Sequence, residues 1–202
     1  SDKRLQFNSN GKFRIMQLTD TQDDMFARPG MLQMIETALK KYKPDLVVFT
    51  GDNTGSLDYE WEVAPALDKI LSIVDDADIP FTLVFGNHDA EHVSRESHFK
   101  AWRSYENCLV YDSDPDIYGM GNHNLTIKAY DSSKVVYNLW FFDSHVQGFN
   151  GGYDYIHQDQ LDWYINASNE LKAQNGGEPV PSMVFQHIIP YEINEYVLTS
   201  DK

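Results

Sequence analysis

The sequence predicts an α/β fold in which two β-sheets pack face to face with helices outside. Three observations carry that prediction. Short apolar runs alternate with stretches of helical period through the first half of the chain. Each apolar run stops at a polar turn. The second half opens with two β-rich runs across a tight turn, which adds an antiparallel element to a parallel one.

Phe13 to Leu18 is the first apolar run, and it stops at Thr19-Asp20. From Pro29 the period changes. Met31, Ile35, Ala38, Leu39 and Tyr42 recur at helical spacing, and Lys40, Lys41 and Lys43 sit where a helix C-terminus favours cations. Pro44 closes that helix, and Leu46 to Phe49 reads as a buried strand ending at Gly51-Asp52-Asn53. Trp61 to Val74 is helical through Val63, Leu67, Ile70 and Leu71, with a break or an early start expected around Pro65. Pro80 opens the strand Phe81 to Phe85, which ends at Gly86-Asn87-His88-Asp89, and a polar helical stretch follows to about Tyr105. Three such units in succession imply parallel strands joined by crossover helices. Asn124 to Tyr130 and Val135 to Phe142 then form a hairpin across Asp131-Ser132-Ser133. A loop over Phe149 to Tyr153, a helix from His157 to Lys172 and a short strand Met183 to Phe185, ending at Gln186-His187, complete the reading.

No internal repeat or linker divides the 202 residues, so residues 1–202 are expected to form a single domain. Hydrophobic residues at 42% exclude a disordered chain, and no apolar run approaches the ~20 residues of a membrane-spanning helix. Ser1-Asp2-Lys3-Arg4 lacks the apolar segment of a signal peptide, which leaves the compartment open. Sixteen basic against 31 acidic side chains give a net charge of −15, which argues against binding a nucleic-acid backbone. The single Cys108 excludes an intrachain disulfide framework and a zinc site built from several thiolates.

The chemistry lies at the strand ends. Four apolar strands finish at Asp20, Asp52, Asn87-His88 and His187. Ligands of open α/β sheets bind outside the carboxyl ends of the strands, so these residues propose one polar site. Carboxylate, amide oxygen and imidazole together suit Zn, Mn or Fe, and a central bridging carboxylate suits two metals ~3.5–4 Å apart. Each residue alone has a plainer explanation: Asp20 and Gly51-Asp52-Asn53 are good turn chemistry, and a lone His187 is usually structural. The conjunction, above all Gly86-Asn87-His88-Asp89, favours the site, because a turn needs no histidine. Asp143-Ser144-His145 follows the apolar strand end Leu139 to Phe142, and His145 reads either as a contact to the site or, preferably, as an exposed loop residue. His92 and His98 read as solvated, and His123 and His157 as structural or exposed. Tyr153, Tyr155, Trp163 and Tyr164 read chiefly as core packing, with a substrate face as the alternative.

Asp20-Thr21-Gln22, Gly51-Asp52-Asn53, Gly86-Asn87-His88-Asp89 and His187 fall in the order of the signature of the calcineurin-like metallophosphoesterase superfamily, which this sequence resembles. Gly119-x-Gly121-Asn122-x-x-Leu125 and Gly152-Tyr153-x-x-Ile156-x-x-x-Gln160 further resemble its purple-acid-phosphatase-like branch. The resemblance implies an αββα sandwich that uses two divalent metal ions to hydrolyse a phosphate ester of a small molecule or phosphoprotein, a monoester by preference. It implies Asp20 on the first metal, Asp52 bridging, Asn87 and His187 on the second, and Gln22 as a weaker donor where the family has histidine. Asn87, His88 and His145 become contacts to phosphate; His88 assists the leaving oxygen, and Asp89 is a candidate to orient it. A phosphodiesterase and a non-catalytic binding module are the alternatives. The family's last motif, Gly-His-x-His, does not occur after His187, so the fold and its metal site are expected to lack a C-terminal portion.

Overall fold

The computed structural model describes residues 5–22, 26, 28–55, 57–146, 148 and 151–199, with the backbone alone at 194, 195, 198 and 199. Ser1 to Arg4, Phe149, Asn150 and Lys202, which entered the sequence reading, lie outside the described residues.

Strands β1 (Ile15–Leu18), β2 (Leu46–Phe49) and β3 (Phe81–Leu83) form a parallel sheet in that order. Helices α1 (Pro29–Tyr42) and α2 (Glu60–Asp75) are the crossovers. Lys43 ends α1 in the left-handed region at φ 44°, and its N–H closes on the Leu39 carbonyl before Pro44. The expected break at Pro65 does not occur, and α2 runs unbroken through it. An interior proline costs about 3 kcal/mol. Val63, Ala66, Leu67, Ile70, Leu71 and Val74 are all buried, and each larger aliphatic side chain returns roughly 1.5–3 kcal/mol. Burial wins.

The second sheet contains β4 (His123–Lys128), β5 (Val135–Phe141) and β6 (Ser182–Phe185). The first two are the anticipated hairpin, and β6 lies parallel to β5 at the sheet edge. β6 leaves Met183 and Val184 half exposed. The polar stretch after β3 condenses into α3 (Arg95–Trp102), capped by the Ser94 side chain on the Ser97 amide. Two helices follow the hairpin: α4 (Gln158–Gln174) and α5 (Tyr191–Thr199), the latter not anticipated from the sequence.

Alternation along β2 sets the layers. Val47 and Phe49 join Ile35, Leu67 and Ile70 in the core beneath the helices. Leu46 and Val48 point the other way, onto Leu125, Leu139, Phe141 and Phe185 of the second sheet. Trp140 and Phe142 turn outward and meet Trp163 and Tyr164 of α4 edge to face or tilted. The order is therefore helices, sheet, sheet, helix. Among the described residues no helix is long and apolar enough to cross a membrane.

Candidate metal centre

Because β1, β2 and β3 are parallel, the turns carrying Asp20, Asp52 and Asn87-His88 leave the sheet at one edge. The backbone stitches them together. The Asp20 amide donates to the Gly51 carbonyl (3.1 Å), the Gln22 amide to the Asp52 carbonyl (2.8 Å), and the His88 amide to Asp52 Oδ1 (2.9 Å). His187 arrives from the end of β6, across the sandwich. A Cβ on Gly51 would lie 2.7 Å from the His187 ring and 2.8 Å from Gly86 Cα, and Gly51 has φ +100°. Only glycine admits that approach. Asp20, Gln22 and Asp52 also take positive φ, at 53°, 36° and 51°. Strained backbone gathered at three strand-end residues is what a site held by its surroundings looks like.

One ligand-type atom from each of Asp20, Asp52 and His187 lies within 4.8 Å of the others. The wiring of His187 makes it fit for a metal. Its Nδ1 is 2.9 Å from the Thr50 carbonyl, which can only accept, so Nδ1 carries the proton. Nε2 is left facing Asp52 Oδ2 at 3.2 Å. Burial alone would push the Asp52 carboxyl up, but the His187 contact and the His88 amide outweigh it and hold it below its ordinary value. Burial would likewise push His187 down, and Asp52 outweighs that and raises it. Two carboxylates and an imidazole of fixed tautomer are a donor set for a divalent cation of the Mn, Zn or Fe kind. Gln22 enters the same site, but its Nε2 donates to Asp52 Oδ2 at 3.1 Å. As a metal donor its amide must turn over to present oxygen. Asn87 lies in the turn between Gly86, packed on Asp52, and His88; with Glu91, His92, Val146, Gly152 and Tyr153 it lines a cleft of about 650 Å³.

A family model described as calcineurin-like phosphoesterase matches residues 13–199. The chain belongs to this family. Among its relatives, "Probable inactive purple acid phosphatase 14" of Arabidopsis thaliana is 27% identical over 92% of this chain and 55% of its own. "Phosphatase DCR2" of Saccharomyces cerevisiae is 30% identical over 95% of this chain and 37% of its own. The chain thus spans about half, or less, of the length of those relatives. The crystal structure of a dimetal phosphatase from Danio rerio shares the fold with a TM-score of 0.58 at 13% identity, covering 87% of this chain and 69% of that one.

The structure corrects several expectations. Asp89 does not orient His88. It is 1% exposed, and its carboxylate accepts from the amides of Asn53, Thr54 and Gly86 (2.7–2.8 Å) and from Asn53 Nδ2 (3.0 Å). It therefore staples the Asp52 turn to the Asn87-His88 turn. The residue against His88 is Glu91, whose Oε1 lies 2.6 Å from Nδ1. Sequence reasoning missed it, because an acid in a charged stretch carries no signal. His98 is not solvated but fully buried, with Nε2 2.8 Å from Thr54 Oγ1.

His145 is the third correction. It is 3% exposed, and the structure groups it with Asp154 and His157 rather than with Asp20, Asp52 and His187. The Gln160 amide decides its chemistry. Gln160 Oε1 accepts from the His157 amide (2.8 Å), and Nε2 donates to the Asp143 carbonyl (2.8 Å) and Asn122 Oδ1 (2.7 Å). Backbone partners thus fix the amide orientation, so His145 Nε2, 2.8 Å from Oε1, must donate. That nitrogen has no lone pair for a metal, and Nδ1, which has one, lies 3.7 Å from Asp143 Oδ2, a carboxylate oxygen already held by Arg95 and the Met120 amide. The residues that resembled the purple-acid-phosphatase-like branch build this knot: Gly119 has φ +96° where a Cβ would meet His145 at 2.6 Å, and Asn122 and Gln160 supply the amides. Ser144 passes its order on by accepting from the Ile188 amide at 2.9 Å, next to His187. Tyr153 and Tyr155, read chiefly as core packing, are instead exposed, with Tyr155 stacked on His157, whereas Trp163 and Tyr164 pack on Trp140 as expected.

Proposed function

We propose that this chain hydrolyses a phosphate ester, preferably a monoester, at the Asp20–Asp52–His187 centre. The observation that carries the reading is His187: Thr50 holds its Nδ1 proton and aims Nε2 at the two carboxylates. Asp20, bridging Asp52, Asn87 and His187, with Gln22 as a weak further donor, would hold two divalent ions. Such ions neutralise phosphate oxygens and make a water acidic enough to attack phosphorus in line. The protein's own charge of −15 repels a phosphate, so the positive charge has to come from those cations. Asn87, beside the cleft, would orient phosphate oxygens. His88 would give its proton to the leaving oxygen as the P–O bond breaks, a contribution of typically ~10²–10⁴-fold. His145 supports this site through the Gln160 knot and the Ser144–Ile188 bond instead of touching phosphate.

Purified protein with Mn²⁺ or Zn²⁺ is expected to hydrolyse p-nitrophenyl phosphate, faster than bis(p-nitrophenyl) phosphate, and His88→Ala is expected to lose most of that turnover. Faster cleavage of the diester would make the chain a phosphodiesterase. A second reading, a metal-binding module without turnover, is favoured by Gln22, whose N–H rather than an imidazole faces Asp52, and by the word "inactive" in the Arabidopsis relative's name. Bound metal by elemental analysis with no turnover on either ester would select it.

A further inference from the structure

We propose that Glu91 is the positioning residue of His88, fixing which ring nitrogen is turned to the substrate cleft. This rests on the reading of His88 as the group that assists the leaving oxygen. Glu91 Oε1 and His88 Nδ1 are 2.6 Å apart, the short distance of a charge-assisted bond. A carboxylate only accepts, so Nδ1 bears a proton whether the ring is neutral or cationic, and the proton given to a leaving oxygen is the one that Nε2 carries in the cation. Nε2 has no hydrogen-bond partner among the described residues. The backbone of His88 is already held by Asp52, so its ring is the part left to be oriented. Glu91 and Asn87 line the same cleft, and His88, next to Asn87 in the chain and bonded to Glu91, stands beside it.

The pair is 42% and 44% exposed. An exposed pair adds little to stability, so its value lies in orientation. The spacing Asn87-His88-Asp89-Ala90-Glu91 divides the labour of two acids: Asp89 is buried and ties the turns together, and Glu91, two residues on, stays outside and meets the ring.

The test uses two substitutions and two readouts. In metal-free protein with ¹⁵N-labelled histidine, the His88 resonances are assigned by their loss in His88→Ala. At a pH where the ring is neutral, wild type is expected to show His88 as the Nδ1–H tautomer. Glu91→Gln, which keeps an acceptor, is expected to retain that pattern, and Glu91→Ala to lose it while the melting temperature stays unchanged. An Nδ1–H pattern that survives Glu91→Ala overturns the proposal. With Mn²⁺ and a series of aryl phosphates, Glu91→Ala is expected to lower kcat ~10-fold for the poorest leaving groups and hardly at all for activated ones, at constant KM. A loss equal across the series overturns the link to the leaving oxygen. Absence of turnover in wild type removes the proposed function instead, and the histidine spectra still decide whether Glu91 sets the His88 ring.

Discussion

Two histidine clusters occupy this molecule, and they differ in what faces the second ring nitrogen. At the carboxyl edge of the parallel sheet, His187 spends one nitrogen on a carbonyl and keeps the other against two carboxylates. Beyond the second sheet, His145, Asp154 and His157 make an equally compact group; His145 likewise spends one nitrogen, Nε2, on Gln160 Oε1, and its Nδ1 lies 3.7 Å from Asp143 Oδ2. Residue composition does not distinguish the two. The carboxylate beside the second nitrogen does: among the described residues Asp52 has no lysine or arginine against it, which leaves that cluster open to a cation, whereas Asp143 already takes the Arg95 guanidinium and the Met120 amide, which closes the other.

The sharpest way to break the open cluster without touching a ligand is Gly86→Ala. Its Cβ would meet the Asp52 backbone nitrogen at 2.1 Å, and backbone cannot step aside. A loss of more than ~4 kcal/mol in urea unfolding is expected; a loss below ~1 kcal/mol would show that the two turns are not tightly apposed.

Gln160→Leu attacks the closed cluster. It strips partners from the His145 ring, the His157 amide, Asn122 and the Asp143 carbonyl, all inside the knot. Stability is expected to fall by ~3 kcal/mol. Mn²⁺ affinity by calorimetry should stay within ~10-fold, and a larger fall would mean that the knot is part of the metal centre.

Asp52→Ala makes the converse change. Mn²⁺ affinity is expected to drop ~100-fold, about 2.7 kcal/mol, while the knot stays intact. Unchanged affinity would remove the metal centre from this edge.

The smallest effect sharpens the contrast through pH. His123 on β4 is fully buried and satisfied on both nitrogens: Nδ1–H donates to the Gly121 carbonyl (2.7 Å) and the Thr82 hydroxyl donates to Nε2 (2.8 Å). Burial pushes its pKa down to about 4, against 6.5 for an unperturbed histidine. The unfolded chain therefore binds the proton first, so this contribution to stability is present above pH 6.5 and is lost as the pH falls toward 4. From pH 7 to pH 5 the loss is about 2 kcal/mol. Urea unfolding at the two values should show that component in wild type and lose it in His123→Asn.

Much of the fold was legible because it rests on periodicity. The helical spacing of Ile35, Leu39 and Tyr42, the apolar runs of β2 and β3, and the hairpin over residues 131–133 are local patterns, and each became the expected element. Pro65 misled because local backbone cost is overruled by the burial of a whole helix face, which is a tertiary quantity. Helix α5 escaped notice because its apolar residues, Tyr191, Ile193, Tyr196 and Val197, are mostly exposed and make no periodic buried face.

The strand-end residues Asp20, Asp52, Asn87, His88 and His187 were legible as a set, since parallel strands must deliver their carboxyl ends to one edge. The sequence by itself determined the family, the parallel strands of the first half and which residue types end them. Tertiary structure alone decided what each of them touches. It buried Asp89 beneath two turns, set Glu91 against His88, put the Arg95-held Asp143 beside His145 and left His187 facing Asp52. The physical reason is that hydrophobic period fixes where a residue leaves its strand, whereas protonation and tautomer depend on a partner that is distant in sequence: 137 residues separate His187 from Thr50.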